Sequence, residues 1–500
     1  MSVISEKEFI QLAKKGNLIP VYKEIIADMD TPVSAYYRIG HKAKYSFLLE
    51  SVEGEEKIAR FSFLARDPEL LLETKGNCAK IIRFNNKGKG ITEASTITNT
   101  PLDLIRQIFQ NYKFVNLPGL PRFCGGMVGY LSYDAVRFFE KLPEKTKDDL
   151  KLPDTLMVLA KNLIIFDHIN HKIKIVSCVE AAPKSSLKEL KKLYAKAIQT
   201  IDAAIKDLEK PLTVQKKAKK KTSAKLKIKS NFTKKKFEEI IGKAKEQIKA
   251  GEIIQVVLSQ RFEVALKTDP FDIYRALRIL NPSPYMYFLN FNGIKIIGAS
   301  PELLVRCENG IVETRPIAGT RPRGKNEGED AKNMQDLLAD PKEKAEHIML
   351  VDLGRNDLGR VCKKGTVHLS EFMTVEKYSH VMHIVSNVKG ELKADQDDLD
   401  VLQASFPAGT VSGAPKIRAM EIIEDLEEVR RGPYAGCIGY MSFSGNLDTC
   451  ITIRTIVATQ GKAYVQAGAG IVADSQPEKE YEETVNKAKA QIKAIELAHK

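Results

Sequence analysis

No stretch of this 500-residue sequence stays uncharged and apolar for the ~18 residues that a membrane-spanning helix needs, so no membrane partner is expected. The opening residues, MSVISEKEFIQLAKKGN, scatter their charges and have no apolar core segment, so no secretory signal is expected either. Cysteine is sparse. Cys78, Cys124, Cys178, Cys307, Cys362, Cys437 and Cys450 lie far apart, none forms C-x-x-C, and their number is odd. That pattern excludes a disulfide framework and a zinc knuckle, and it points to a reducing, cytoplasmic setting. No P-loop spacing and no internal repeat of fixed period occur.

What is present is ordinary globular material, with 43% hydrophobic and 28% charged residues, enough for two or three domains. The formal charge of +14 raises the question of a nucleic-acid partner. Residues 206–236 carry thirteen lysines against two acids, and so hold most of that excess. This segment has no arginine fork, and QKKAKKKTSAKLKIKS has no aromatic ring to stack on a base, so a solvated linker is the preferred reading and no nucleic-acid partner is expected. The chain divides into an N-terminal unit (1–205), a lysine-rich linker (206–230) and a C-terminal unit (231–500).

The N-terminal unit has short β-rich runs such as KYSFLLES and ARFSFLA, a Gly-rich FCGGMVGYLSYD (123–134), a hairpin over 161–179 turning near Asn170, and a helix over 186–208. In the C-terminal unit, Phe237, Ile240, Ile241, Ala244 and Ile248 recur with helical spacing, and Gly251 stands where a C-cap belongs. IIQVVLSQRFEVAL alternates as a strand over 253–266. Further strands are expected at 286–298, 302–307, 381–390, 436–443, 450–458 and 462–467. Helices are expected at 329–350, 415–428 and 476–498, the last opened by a Ser475–Glu478 capping box. Strands outnumber crossover helices, so the expected class is α+β with mainly antiparallel sheets.

Several features of the C-terminal unit carry chemistry. Glu343 and Glu346, and again Glu480 and Glu483, are spaced three apart, which puts each pair on one helical face. Two such faces opposed would make an all-oxygen Mg²⁺ site, while each pair alone reads equally as solvated surface. AGAGIVADS (467–475) sets Gly468 and Gly470 between a strand and a helix, as a tight turn or as a cradle of backbone N–H groups for an anion. FPAGTVSGAPK (406–416) is a second Gly-rich loop, with Pro415 near the first turn of a helix. Arg454, inside the apolar run CITIRTIV, calls for an anionic partner from protein or ligand. His383 in HVMHIVSNV is a hydrogen-bonded core histidine or a base. LVDLGRNDLGR (350–360) reads as a salt-bridge network. Together these suggest a Mg²⁺-assisted site for a small anionic substrate.

With LLES (48–51), GGMVGYLSYD (125–134), NPSPYM (281–286), GASPE (298–302), RPIAGTRPRG (315–324), AEHIMLVDLGRNDLGRV (345–361), FPAGTVSGAPK, GPYAGCIGY (432–440), IRT (453–455), AGAGIV (467–472) and E-x-x-E-T-x-N-K (480–487), the sequence resembles the chorismate-utilising enzymes, in particular the anthranilate synthase large-component branch. The resemblance covers nearly everything outside the linker. It implies two large β-sheets packed as a sandwich with helices outside, and an active site in a cleft of the C-terminal unit. It implies a lyase that aminates chorismate at C2 with loss of the C4 hydroxyl, then eliminates pyruvate to leave anthranilate, the first committed step of tryptophan biosynthesis. By analogy Glu346 and Glu483 bind Mg²⁺ with Glu343 and Glu480 assisting. Tyr434 and Arg454 bind carboxylate, and Thr410 with the backbone at Gly468 and Gly470 cradles ligand oxygens. Glu302 is then the general acid, and His383 takes the C2 proton.

Two positions separate the branches. Isochorismate- and salicylate-forming relatives carry a water-activating lysine where Gln255 stands, and glutamine cannot deprotonate water. Aminodeoxychorismate synthases carry a nucleophilic lysine where Ala318 stands, and alanine forms no adduct. Both point to anthranilate. No cysteine lies in a G-x-C-x-G setting, so ammonia is expected from a glutamine amidotransferase partner, anthranilate synthase component II. Glu50 and Ser51, with Pro284, Tyr285 and Met286, match the family's tryptophan feedback site, the Glu50 carboxylate facing the inhibitor's ammonium group.

Overall fold

The strand Gln255–Ala265 is buried along nearly its whole length on both faces, and Gly126–Leu131 and Thr155–Ala160 are buried throughout. Strands of this kind need cover on both sides, and two stacked sheets with helices outside supply it. In the computed structural model, which describes residues 4–51, 60–85, 90–96, 100–212, 226–378 and 381–499, two 12-stranded antiparallel sheets stack in that way. Phe47, Phe63, Leu289 and Ile296 of the first sheet meet Val128, Tyr130, Val158, Ile438 and Tyr440 of the second in the middle layer. The outer face of the first sheet packs on helices through Tyr36, Ile201, Phe271, Tyr274 and Ile495, and that of the second through Ile105, Val351, Leu358 and Leu402. The expected α+β sandwich is therefore the observed fold.

Both sheets draw strands from either side of the lysine-rich segment. Tyr45–Glu50 pairs with Tyr285–Phe291 in the first sheet, and Gly126–Leu131 pairs with Cys437–Ser442 in the second. Residues 1–205 and 231–500 are thus divisions of the sequence that share one core. The lysine-rich run at 213–225 lies outside the described residues.

Four elements differ from expectation for local reasons. The strand expected at 286–298 is a hairpin, Tyr285–Phe291 and Ile294–Ser300, because Asn292 and Gly293 both take positive φ, as a two-residue turn requires. The helix expected at 329–350 is two, Glu327–Ala339 and Pro341–Val361. Asp340 ends the first and caps the second through the Lys342 and Glu343 amides, with Pro341 in the first turn. The strand expected at 450–458 breaks at 452–454. Leu447–Ile451 belongs to the second sheet and Thr455–Thr459 to the first. The last helix, Pro477–Ala498, has no Ser475–Glu478 capping box: the Ser475 hydroxyl accepts from the Val472 amide, and Glu478 pairs with Lys234. Gly251, in contrast, has φ +79 just beyond the helix Lys234–Lys249, as a C-terminal glycine should.

Candidate active site

Two crossings of the chain between the sheets make the centre of the site. Ile294–Ser300 in the first sheet leads to Leu303–Glu308 in the second, with Glu302 in the step between. Leu447–Ile451 leads back to the first sheet through Arg454, whose φ of +52 turns the chain sharply. The crossings bond to each other: the Ile451 amide donates to the Glu302 carbonyl at 3.1 Å and the Ser300 hydroxyl to the Ile451 carbonyl at 2.7 Å. Arg454, expected within a strand, therefore stands at the strand break. Its guanidinium donates to the Lys487 carbonyl of the last helix, and burial lowers its pKa.

Glu302 is buried, and burial raises its carboxyl to about 8, opposed in part by Thr410 and Lys487. It is a neutral acid near pH 7, as a proton donor must be. Thr410 stands against it from the Gly409–Val411 turn.

His383 lies in the strand Val381–Glu391, opposite Thr320. The paired strand Ile317–Pro322 shifts register between Ala318 and Thr320, and there Gly319 takes φ +69. Its carbonyl comes within 2.9 Å of His383 Nδ1, with Thr320 Oγ1 at 3.1 Å. A carbonyl only accepts, so Nδ1 carries the proton and Nε2 keeps a lone pair. Burial lowers the imidazole's pKa, with the positive charge of Arg454 adding to it. Gly319 also approaches the acidic helix Pro341–Val361, since a Cβ there would sit 3.1 Å from Glu343 Oε2.

Gln255 begins the strand Gln255–Ala265 and is buried. Its Nε2 donates to Glu346 at 3.0 Å, while Oε1 is buried with no hydrogen-bond partner among the described residues. Gly468 and Gly470, expected between strand and helix, lie inside the strand Lys462–Ile471, paired with Ser259 and Val257. Their missing side chains make room. A Cβ on Gly470 would come 2.6 Å from Gln255 Nε2, and one on Gly468 would come 2.8 Å from the Tyr434 hydroxyl. Tyr434 is buried, its hydroxyl pushed up to about 12 by burial.

The four acids come together as two pairs. Burial and Glu346 raise Glu343, which also accepts from Arg321 at 3.4 Å. Burial raises Glu480, with Ser475 and Lys342 opposing and Glu483 adding to it. The Lys342 effect places the start of one acidic helix near the start of the other. Glu483 is paired with Lys487 at 2.6 Å, and the same ammonium donates to the Gly468 carbonyl at 3.1 Å. Glu346 at Gln255 and Glu483 at Lys487 thus both face the Gly468–Gly470 stretch. Among the described residues no group of three or more His, Cys, Asp or Glu is close enough to hold a metal, so the convergence of all four carboxylates is not seen. The donor chemistry nevertheless suits a hard cation, since each pair holds a carboxyl raised by burial and by its neighbour's charge.

Lys487 was not singled out in the sequence, although it follows Glu483 by one helical turn. It joins Glu483, Gly468 and, through Arg454, the chain crossing, and with Glu483 and Arg454 it lines a hollow of about 410 Å³. The expected salt-bridge network at 350–360 reduces to an exposed Asp352–Arg355 pair and a bond that Asp357 accepts from Lys416 of the helix Lys416–Leu426.

A second cavity lies between the sheets. Glu50, Ser51, Pro284, Tyr285 and Met286 all line it, with Arg122, Arg306, Asp448 and Cys450. The Glu50 carboxylate does not stand free to meet an ammonium group. It accepts from the Tyr274 hydroxyl and from Arg278 at 3.2 and 3.3 Å. Ser51 Oγ is buried with no hydrogen-bond partner among the described residues.

Residues 59–493 match the chorismate-binding enzyme family. The chain belongs to that family. Among chorismate-binding enzymes, it is 50% identical over 97% of both chains to anthranilate synthase component 1 of Acetivibrio thermocellus. It is 49% identical to the protein of that name from Aquifex aeolicus, over 99% of this chain and 98% of that one. The crystal structure of anthranilate synthase component I from Streptococcus pneumoniae superposes with a TM-score of 0.76 at 38% identity, covering 94% of this chain and 99% of that one. Among the described residues no helix is long and apolar enough to cross a membrane.

Proposed function

We propose that this chorismate-utilising enzyme is the large component of an anthranilate synthase, converting chorismate and ammonia to anthranilate and pyruvate in the first committed step of tryptophan biosynthesis. Gln255 carries the reading. Its amide cannot deprotonate water, while its buried Oε1, without a partner among the described residues, is an acceptor for an N–H of ammonia. Beside Gly470, where no side chain intrudes, it positions a nucleophile that needs no activation. Ala318 supplies no lysine for the alternative covalent route.

The other residues divide the remaining work. Arg454 and Tyr434 hold carboxylate, and the backbone at Gly468 and Gly470 with Thr410 receives ligand oxygens. Glu302, neutral near pH 7, gives its proton to the departing C4 hydroxyl. His383 Nε2 takes the C2 proton as pyruvate leaves. Glu346 and Glu483, with Glu343 and Glu480 beside them, are the ligands for Mg²⁺, which supplies Lewis-acid polarisation and charge neutralisation for a substrate carboxylate. A glutamine amidotransferase subunit supplies ammonia, and the reaction takes place in the cytoplasm. Tryptophan, binding in the cavity of Ser51 and Pro284–Met286, inhibits.

The test mixes the purified chain with chorismate, Mg²⁺ and ammonium at alkaline pH and identifies the product by fluorescence and mass. Anthranilate is expected with ammonium, and none with glutamine in the absence of a partner. A hydroxylated product, or anthranilate from glutamine alone, overturns the reading.

A further inference from the structure

Behind Glu302 lies a small cavity bounded by Ser405, Thr410 and Asp357, with Leu350 and Leu353 in its walls. It joins LVDLGRNDLGR, a motif without a role so far, to FPAGTVSGAPK, of which only Thr410 has one. The space open to water is about 40 Å³, and a single water needs about 10–15 Å³ on such a measure. Its lining suits water. Ser405 is 4% exposed, and its hydroxyl has no hydrogen-bond partner among the described residues. A buried hydroxyl of that kind is satisfied by ordered water. The cavity has two ionisable ends. Glu302 closes the inner one, and Asp357, with 14% of its side chain exposed, stands at the outer one, 2.9 Å from Lys416.

We propose that this cavity returns a proton to Glu302 after each turnover, through water held at Ser405 and Thr410, with Asp357 as the donor at its outer end. The inference rests on the reading of Glu302 as the acid. The proton balance leaves Glu302 to be reprotonated. When the C4–oxygen bond breaks, its electron pair stays on oxygen, which takes the Glu302 proton and leaves as water. The new C2–nitrogen bond uses the ammonia lone pair, and the ammonium so formed releases a proton to solvent. Glu302 is left as a carboxylate behind a bound product. Asp357 passes a proton inward through the cavity and regains one from solvent. The charged groups facing the two ends differ. Lys487 faces Glu302, and Lys416 and Arg360 face Asp357. Burial raises the Asp357 carboxyl despite those two cations, which brings it closer to Glu302 in proton affinity.

The test separates the first turnover from later ones, using the whole chain with chorismate, Mg²⁺ and ammonium. Glu302 starts protonated, so Asp357→Asn leaves the first turnover within about twofold of wild type and slows steady-state turnover at least about tenfold, the scale of a lost proton-transfer group. Ser405→Val, which fills the cavity, gives the same split. Formic acid in the buffer restores the steady-state rate of Asp357→Asn. Both phases falling together, or neither changing, overturns the proposal. Should Ser405→Val fail to fold, as thermal unfolding will report, Asp357→Asn decides alone. Glu302→Gln is the control for the underlying reading. It abolishes the first turnover, and a normal first turnover in that variant overturns the role of Glu302 rather than that of the cavity.

Discussion

The cavity between the sheets and the site at the chain crossings lie at the same end of one hairpin, where Tyr285 pairs with Ser300, yet they handle charge differently. In the cavity, acids meet cations. Asp448 accepts from Arg122 at 2.9 Å, from Arg306 at 3.1 Å and from the Tyr285 hydroxyl at 2.9 Å, and Glu50 is held by Arg278 and Tyr274. Around the crossings, Glu343 and Glu480 are pushed upward by burial and by a neighbouring carboxylate, Glu302 is held neutral, and Gln255 Oε1 is left without a partner among the described residues. A receptor needs a fixed shape, which satisfied charges provide. A reaction centre needs electrostatic demand that substrate, cation and transition state relieve.

The largest expected effect tests this contrast directly. Glu346→Gln lowers anthranilate formation at least about a hundredfold, the upper scale for disturbing a metal site, and does not lower the melting temperature, since it removes a charge from a repelling pair. Asp448→Asn does the reverse. It breaks a buried ion-pair network, which costs about 3–5 kcal/mol of stability. Equal losses of stability in the two variants would erase the distinction. Next in size, Ser51→Phe fills the cavity between the sheets and abolishes tryptophan inhibition while leaving the uninhibited rate near wild type. The chain contains no tryptophan, so fluorescence of the added amino acid reports its binding without background. Inhibition unchanged by Ser51→Phe would remove the inhibitor from this cavity.

Glu302 gives the crossings a pH signature. Its carboxyl rises from 4.5 to about 8 on burial, so the fold favours the protonated form. That contribution is full below about pH 4.5, declines as the unfolded chain ionises, and is gone above about pH 8. Glu302→Gln cannot ionise, so its advantage over wild type in denaturant midpoint grows between those pH values. Wild-type turnover falls above about pH 8 as the acid is lost. A constant stability difference across that window would place the Glu302 carboxyl in a solvated setting.

Much of this was legible in the sequence where function needs an uncommon residue type in a fixed local setting. The two glutamate pairs, Arg454 inside an apolar run and the SPE acid were all readable in this way, although the convergence of the four glutamates is not seen. The five residues of LLES and NPSPYM converge on one cavity although about 230 positions separate the motifs, since Met286 pairs with Glu50 across adjacent strands. What stayed hidden depends on the third dimension. Nothing in CITIRTIV says that the chain changes sheets at Arg454, because both halves of the run are buried and apolar. Gly468 and Gly470 read as a turn because glycine is rare within a strand, and only the approach of Gln255 and Tyr434 explains them. The Asp357–Lys416 bond joins residues 59 positions apart and leaves no local trace.

The smallest expected effect tests whether the two regions communicate. Tyr287 lines the cavity between the sheets, its ring lies over Gly298, and its hydroxyl meets Thr455 Oγ1 at 2.6 Å. Thr455 follows Arg454 directly, and its hydroxyl also donates to the Ile453 carbonyl at 2.7 Å. The hydroxyl pair therefore ties a wall of the cavity to the left-handed turn at Arg454. Tyr287→Phe keeps the ring and deletes one buried neutral hydrogen bond, a change of about 1 kcal/mol. Loosening the Arg454 turn weakens substrate binding more than chemistry, so KM for chorismate rises several-fold while kcat stays within about twofold. Tryptophan still binds, because the cavity keeps its shape, yet its effect on KM shrinks. An unchanged KM with full inhibition would mean that the cavity acts on the cleft by another path, with the paired strands Tyr285–Phe291 and Ile294–Ser300 moving as one body up to Glu302.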